Sequence, residues 1–370
     1  MAAGLAARGH HVTVVTTSCG TPDEASPGVV RRVIDGVNVC YCPWGQGPFG
    51  ITSRAMREVS KACAEQADVA HVTGVWQPSV RRVYSDLDAL SVPYVISPRG
   101  ALSPYSFRHG WLKKWAYFQL FERGFGRRAA ALHATAPLEE AELVRLFPRA
   151  PVWVIPNACD PTKWYPDSLA GAAWRQAHGI AGDEIVIAHV GRIHPKKNLD
   201  FLGEVATQLP ASARWRLVLY GPTAVKDQPY RKALADRFPS GRLVLADGAG
   251  DTAETRAAYS GADVLVFPSL HENFGNVLVE SLMCGTPVLS SPHVGAAAFF
   301  QHAAEVRIVD LEPSAWGREL SARIQSPRTD RSHGLGIAEV ALRCSPAAVA
   351  AAVESMYRTV LSRHQGVEAP

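Results

Sequence analysis

Short β-branched runs alternate with helix-patterned stretches along almost the whole of this 370-residue chain, and that alternation restricts the fold more than any other feature. HVTVVTT (11–17), DVAHV (68–72), PYVIS (93–97), AALHA (130–134) and VWVIP (152–156) have the length and composition of buried strands. Residues 52–66, 77–90, 111–126 and 137–147 carry helical spacing between them. VVRRVIDGVNVCYC (29–42) reads as a hairpin turning at Asp35-Gly36, a dipeptide suited to a turn with positive φ. Parallel neighbours need crossover connections, usually helical, so the predicted architecture is α/β with doubly wound parallel sheets.

The alternation pauses at PNACDPTKWYPD (156–167), which reads as a linker with a hinge near residue 160. It resumes with IVIAHV (185–190), WRLVLYG (215–221), RLVLA (242–246), DVLVFP (263–268), PVLSS (287–291) and VRIV (306–309). The expected division is a domain over 1–160, a second over 161–344 and a C-terminal helix within 345–370 that crosses back to the first. Two domains also match a length prior of about 150 residues each. Ser345 and Pro346 suit the N-cap and first helical position of that last helix. At the other end, MAAGLAAR reads as a helix stopped by Gly9 before the strand at 11–17. A doubly wound sheet is expected to start from a central strand followed by a Gly-rich turn. That strand is not seen before residue 11, which predicts a strand 11–17 without a neighbour.

Composition excludes several classes. Hydrophobic residues are 47% and charged residues 19%, which is unlike a disordered chain. No apolar run reaches the roughly 18 residues of a membrane span, and no basic-then-apolar leader opens the sequence. The seven cysteines are scattered without a CxxC pair, so neither a disulfide framework nor a metal site is expected, and a reducing, cytoplasmic setting is. The net charge of +4 lies wholly in residues 1–160, which hold 17 basic and 13 acidic residues. Nucleic acid is not an expected partner, since no supporting fold motif accompanies that charge.

Two segments of the second half carry chemistry. PSLHENFGNVLVESLMCGTPVL (268–289) follows a strand and opens a helix, with Glu272 just before the helix and Glu280 about two turns into it. Phe274, Gly275 and Asn276 fall at the helix start, where unpaired N–H groups and a partial positive charge suit a phosphate. Glu280 could accept hydrogen bonds from a ribose diol, and Glu272 could hold sugar hydroxyls; the bland reading is two solvated glutamates. VGRIHPKKNLDFL (190–202) places Gly191, Arg192, His194, Lys196 and Lys197 after a strand, then a helix from about Leu199. Cations at the carboxyl end of such a strand suit a diphosphate; the bland reading is a solvated basic loop.

The Glu-x7-Glu segment with its Phe-Gly, preceded by the Gly-Arg-x4-Lys loop, resembles the retaining glycosyltransferases of family 4. HVTGVW (71–76), ISPRGALSP (96–104) and VIPNACD (154–160) resemble segments of exopolysaccharide-type members. The resemblance covers nearly the whole chain. It implies the GT-B fold, two Rossmann-like domains facing across a cleft. It also implies that Arg192 and Lys197 hold the donor diphosphate, that Glu272 contacts the transferred sugar, that Glu280 binds ribose, and that the backbone at Phe274, Gly275 and Asn276 caps the phosphates beside Gly191. Asn273 stands where glycine is commoner in the family, and Ala158-Cys159 where the linker has Gly-Val.

First-domain candidates for the acceptor side of the cleft are Arg99, His71 and Trp76. Arg99 ends a strand and would touch a phosphate or be a salt-bridged loop residue. His71 and Trp76 bracket a loop, the first a candidate cleft group or a structural histidine, the second a stacking surface or core. Residues 107–128 interleave Arg108, Lys113, Lys114, Arg123, Arg127 and Arg128 with Trp111, Trp115, Phe118 and Phe121. Basic groups beside large aromatics on a helix suit an anionic membrane surface; a helix with its aromatics in the core is the alternative.

The expected function is transfer of a hexosyl group, with retention, from a nucleotide-diphosphate sugar to a glycan or lipid-linked acceptor in polysaccharide synthesis. No cofactor or metal is expected. The expected location is cytoplasmic, peripheral at the inner face of the plasma membrane. The alternatives are a non-catalytic nucleotide-sugar-binding protein and another GT-B enzyme, an epimerase or a phosphorylase.

Overall fold

In the computed structural model, which describes residues 1–47, 50–108, 110–248, 250–325 and 335–366, the chain opens on helix Ala2–Ala6 and strand β1 (Thr13–Thr17). Position 109 of the basic aromatic stretch, 326–334 of the second expected domain and 367–370 of the C-terminal segment lie outside the described residues. Strands β2 (Val30–Ile34) and β3 (Val37–Cys42) form an antiparallel pair. Asp35 and Gly36 join them with positive φ values of 49° and 76°. That turn matches the right-handed twist of the strands, as the Asp-Gly pair predicts.

The chain forms two compact units, Met1–Asn157 with Pro346–Pro370, and Ala158–Ser345. In the first, β4 (Gly45–Gly47) and β5 (Gly50–Thr52) make a small antiparallel ribbon. Strands β6 (Ala70–Thr73), β7 (Tyr94–Ser97), β8 (Ala131–Ala134) and β9 (Val152–Val154) form a parallel sheet in sequence order. The expectation that strand 11–17 lacks a neighbour does not hold. β1 pairs in parallel with β3 from Thr13↔Asn38 to Thr17↔Cys42, because the hairpin folds β3 back onto it. Its other edge meets no strand among the described residues.

The β6–β9 sheet is covered on both faces, as a parallel sheet must be. On one side Tyr84, Leu87, Phe118, Phe125 and Leu143 pack against Tyr94, Ile96, Leu132 and Ala134. On the other, helix Pro346–His364 lays Val349, Val353, Met356 and Val360 against Val95, Ala131 and Ile155. Such side chains contribute about 1.5–3 kcal/mol each when fully buried. The stretch Gly336–His364 has a mean hydropathy of 1.4 in its most apolar window, enough for a membrane span by length and composition. This corrects the expectation that no run is long enough. In helix Pro346–His364 the apolar stripe lies against the sheet because Val349, Val353, Met356 and Val360 recur three or four residues apart, on one helical face.

The second unit is one parallel sheet. Its strands are β10 (Ile185–Val190), β11 (Trp215–Tyr220), β12 (Leu243–Ala246), β13 (Val264–Phe267), β14 (Val288–Ser290) and β15 (Val306–Ile308). Their order is β12-β11-β10-β13-β14-β15, the doubly wound arrangement. Ile187, Leu217, Leu219, Val264 and Val266 face Phe201, Leu202, Val205, Trp316 and Leu320. Arg175 is a buried tie beneath the sheet. It pairs with Asp263 and donates to the carbonyls of Gly261 (2.6 Å) and Glu184 (2.9 Å).

Candidate active site

Strand order reverses between β10 and β13, which lie side by side in register Ile187↔Val264 and Ala188↔Leu265. In open α/β sheets the crevice at the carboxyl ends of such a pair is where ligands bind. Both chemistry-bearing loops leave from these two ends, so parallel pairing carries residues 75 positions apart to one place.

The loop after β10 starts at Gly191, φ 137°, whose backbone packs against Gly221, φ 149°. A Cβ on Gly221 would lie 2.1 Å from the Gly191 carbonyl oxygen, so nothing larger than glycine fits. The missing side chain at Gly221 therefore sets how closely the two loops approach. The turn Pro195–Lys197 follows, with the His194 side chain accepting from the Lys196 amide at 2.9 Å. Lys197 turns inward. Its Nζ donates to Glu272 Oε2 at 2.5 Å and sits 4.9 Å over the Phe267 ring. Burial lowers the pKa of Lys196. Arg192 is exposed and forms no ion pair among the described residues.

The loop after β13 is stitched at three points. The Leu270 amide donates to the Lys196 carbonyl (3.1 Å), the Glu272 amide to His293 (2.8 Å) and the Gly295 amide to Glu272 (3.0 Å). Phe274 is buried, and its carbonyl accepts from Ala296 at 2.7 Å. Gly275, φ 94°, caps helix Asn276–Met283, and a Cβ there would meet Val294 Cγ1 at 2.8 Å. The helix thus begins at Asn276. Glu280 lies about one turn into it, not two, because the stitched loop holds residues 272–275 out of the helix. Tyr259 donates to Glu280 Oε2 at 2.9 Å. Burial raises the pKa of Glu280 and this hydrogen bond opposes the rise.

Two groups here escaped the sequence reading. His189, in the middle of an aliphatic strand, is fully buried with Nδ1 3.3 Å from the Val266 carbonyl. Its Nε2 meets no hydrogen-bond partner among the described residues. Burial, then the Lys197 charge, lowers its pKa to about 3, so the ring is neutral. The signal was a lone histidine in IVIAHV. Tyr259 gave no signal beyond an aromatic near a helix end.

In the first unit the candidates part company. Arg99 is exposed, has φ 53° and donates to Asn157 Oδ1 at 2.5 Å. His71 does not flank a loop; it lies within β6 in a buried relay. His133 Nε2 is 2.8 Å from the Ile155 carbonyl, so it donates there and its Nδ1 accepts from His71 Nε2 at 3.3 Å. His71 Nδ1 then accepts from Tyr357 at 2.8 Å. Every member of the relay is satisfied with both rings neutral. Burial, with His133 and Arg99 adding, lowers the His71 pKa to about 3. This corrects His71 to a structural histidine. Trp76 is partly buried, with φ 73°. Its Nε1 donates to the Ala101 carbonyl at 2.8 Å, and its ring packs on Phe107, Tyr117 and Phe118 at 5.4, 6.0 and 6.5 Å.

The 107–128 stretch is broken rather than one helix, with Trp111–Tyr117 and Arg123–Arg128 joined by a π-turn at Phe118–Glu122. Phe118 and Phe125 enter the core, and the Arg81 guanidinium covers the Phe121 ring at 3.8 Å. Trp111, Leu112, Trp115 and Leu120 remain 59, 63, 53 and 73% exposed.

This chain has the GT-B fold of two Rossmann-like units. Residues 172–326 match the family Glycosyl transferases group 1, and residues 1–158 the Glycosyl transferase 4-like domain; the chain belongs to that lineage. It is 30% identical over 244 residues to the D-inositol 3-phosphate glycosyltransferase 2 of Catenulispora acidiphila, covering 62% of this chain and 56% of that protein. The match thus spans little more than half of that relative. The D-inositol 3-phosphate glycosyltransferase of Nocardia farcinica is 26% identical over 91% of this chain and 77% of its own length. The Anabaena protein Alr3699/HepE, solved with UDP and glucose, superposes with a TM-score of 0.69 over 87% of this chain and 86% of that one, at 19% identity.

Proposed function

We propose that the protein transfers a hexosyl group, with retention, from a nucleotide-diphosphate sugar to a glycan or lipid-linked acceptor in polysaccharide or glycoconjugate synthesis. The observation that carries this reading is the meeting of Lys197 and Glu272 at the β10–β13 switch point. A cation there suits a diphosphate and a carboxylate beside it suits the attached sugar. Arg192, exposed on the same loop, supplies a second cation. The backbone at Phe274, Gly275 and Asn276 would cap the phosphates, and Glu280 would take the ribose diol. As the bond from the anomeric carbon to the diphosphate oxygen breaks, negative charge grows on the leaving oxygen. Lys197, Arg192 and the helix start stabilise that charge without reorganising. The acceptor hydroxyl attacks from the face the diphosphate leaves, and its proton passes to the departing phosphate oxygen. With those charges supplied by side chains, binding and transfer need no metal ion.

Arg99 is the first-unit residue that suits an acceptor phosphate: an exposed guanidinium held in a left-handed backbone state, as strained functional residues often are. The exposed Trp111, Leu112 and Trp115 beside Lys113 suit an anionic bilayer at the cytoplasmic face, where a lipid-linked acceptor would be met.

The test is to incubate the protein with UDP- and GDP-hexoses and lipid-linked saccharide acceptors in EDTA, reading product anomeric configuration by NMR. Transfer with the donor's configuration is expected. An inverted product, epimerised donor, or phosphate-dependent cleavage without transfer would overturn the reading. Strict dependence on added Mg2+ or Mn2+ would overturn its metal-free form.

A further inference from the structure

We propose that Tyr259 is a positioning residue for the nucleotide, fixing the Glu280 carboxylate with one oxygen bound and the other presented to the ribose. The inference rests on the reading of Glu280 given above. Tyr259 lies near the end of helix Thr252–Gly261 and is fully buried. Its main chain is anchored independently of the phenol, since Thr286 Oγ1 donates to its carbonyl at 2.6 Å. Trp164 meets its ring edge-on at 5.7 Å. With backbone and ring both held, the hydroxyl oxygen has one position, 2.9 Å from Glu280 Oε2, to which it donates.

The other groups facing this carboxylate offer no substitute. Cys159, on the linker, and Cys284, at the end of the Glu280 helix, both have pKa values raised by burial, Cys284 to about 12, so they are uncharged thiols. Arg256, on the Tyr259 helix, is drawn to Asp167 at 3.6 Å and sits over the Tyr165 ring at 4.3 Å. It is no partner of Glu280. The Tyr259 phenol, itself far too weak an acid to ionise in this burial, is thus the donor that steadies the charged form. An ionised carboxylate accepts from both hydroxyls of a ribose diol, whereas a protonated one has lost an acceptor oxygen.

The test is Tyr259→Phe in the full chain, with UDP, GDP and ADP binding measured by calorimetry between pH 6 and 8.5. A hydrogen bond to a charged group is worth enough for about a tenfold loss of affinity. The loss should be largest at pH 6 and shrink toward pH 8.5, since removing the donor raises the Glu280 pKa further. A merely structural role would lower the melting temperature and leave the pH profile of binding unchanged, and that outcome would overturn the proposal. Glu280→Gln separates the two levels of argument. It should weaken nucleotide binding, and adding Tyr259→Phe to it should change affinity less than twofold at any pH in that range. If Glu280→Gln weakens binding and Tyr259→Phe does not, the role of Tyr259 is refuted alone. If Glu280→Gln has no effect, or no diphosphate binds the wild type, the reading of the site falls and this inference with it.

Discussion

Removing both partners of the Lys197–Glu272 pair should cost less than the two single removals summed. The two side chains are only 10 and 23% exposed and 2.5 Å apart. Breaking a fully buried pair costs about 3–5 kcal/mol through the charge left unpaired. Partial exposure returns some hydration to Glu272, so Lys197→Ala should cost about 2 kcal/mol. In a domain of this size that lowers Tm by about 4–8 °C. Glu272→Ala should cost less, because Lys197 keeps the Phe267 ring beneath its ammonium at 4.9 Å and its long stem can swing to water. The double variant should then be more stable than the two losses predict, by about 1 kcal/mol or more. Urea titration of all four proteins measures this, and additivity within about 0.3 kcal/mol would refute the coupling. The same set separates binding from turnover. Lys197→Ala should weaken UDP or GDP binding. Glu272→Ala frees the lysine, so diphosphate affinity should hold or rise while kcat falls, as for a contact strongest in the transition state. Equal losses of affinity in both would sink the assignment of roles.

Three further outcomes follow from the geometry. Stability should fall as pH drops from about 6.5 toward 4, because His71 and His189 titrate near 3 when folded and near 6.5 when unfolded. The unfolded chain then binds more protons, giving a slope of about 1.4 kcal/mol per pH unit for each such histidine; urea midpoints independent of pH over that range would contradict it. Gly221→Ala should destabilise by at least about 3 kcal/mol through its clash with the Gly191 carbonyl, while Gly182→Ala, with open space around it, should stay within about 0.5 kcal/mol; comparable Tm values would undo the argument. Replacing Trp111 and Trp115 by serine, or Lys113 and Arg127 by glutamate, should abolish co-sedimentation with phosphatidylglycerol vesicles, and unchanged sedimentation would dismiss the membrane contact.

What could be read from residue order, and what could not, divides along contact range. The strands were legible because their aliphatic runs are local, and the Asp35-Gly36 turn because its φ demand is local. Helix Ser168–Ala177, between the linker at 156–167 and the strand at 185, has no periodic signal strong enough to name it, although Asp167 accepts from the Ala170 amide at 3.0 Å as an ordinary N-cap. The depth of Glu280 was misjudged because the bonds from 293–296 that hold 272–275 straight come from another loop. His71 looked like a loop-flanking group because its partner, Tyr357, is 286 positions away. Tyr259 was silent for the same reason. The chemistry-bearing loops could be named from their composition, but their meeting depends on which strands lie side by side.

That distance between His71 and Tyr357 has a consequence for synthesis. The sheet face formed by Val95, Ala131 and Ile155 is closed by Val349, Val353, Met356 and Val360, and roughly 190 residues of the other unit are translated in between. At about 5–20 residues per second the ribosome takes roughly 10–40 s to make them. Throughout that interval the first unit carries an uncovered apolar face and two buried-to-be histidines still open to protons. It cannot finish folding in the order it is made. The later unit, continuous in the chain, is free to fold first, and the earlier one waits for the last helix to emerge, a period in which a chaperone or a protease has its best access to the protein.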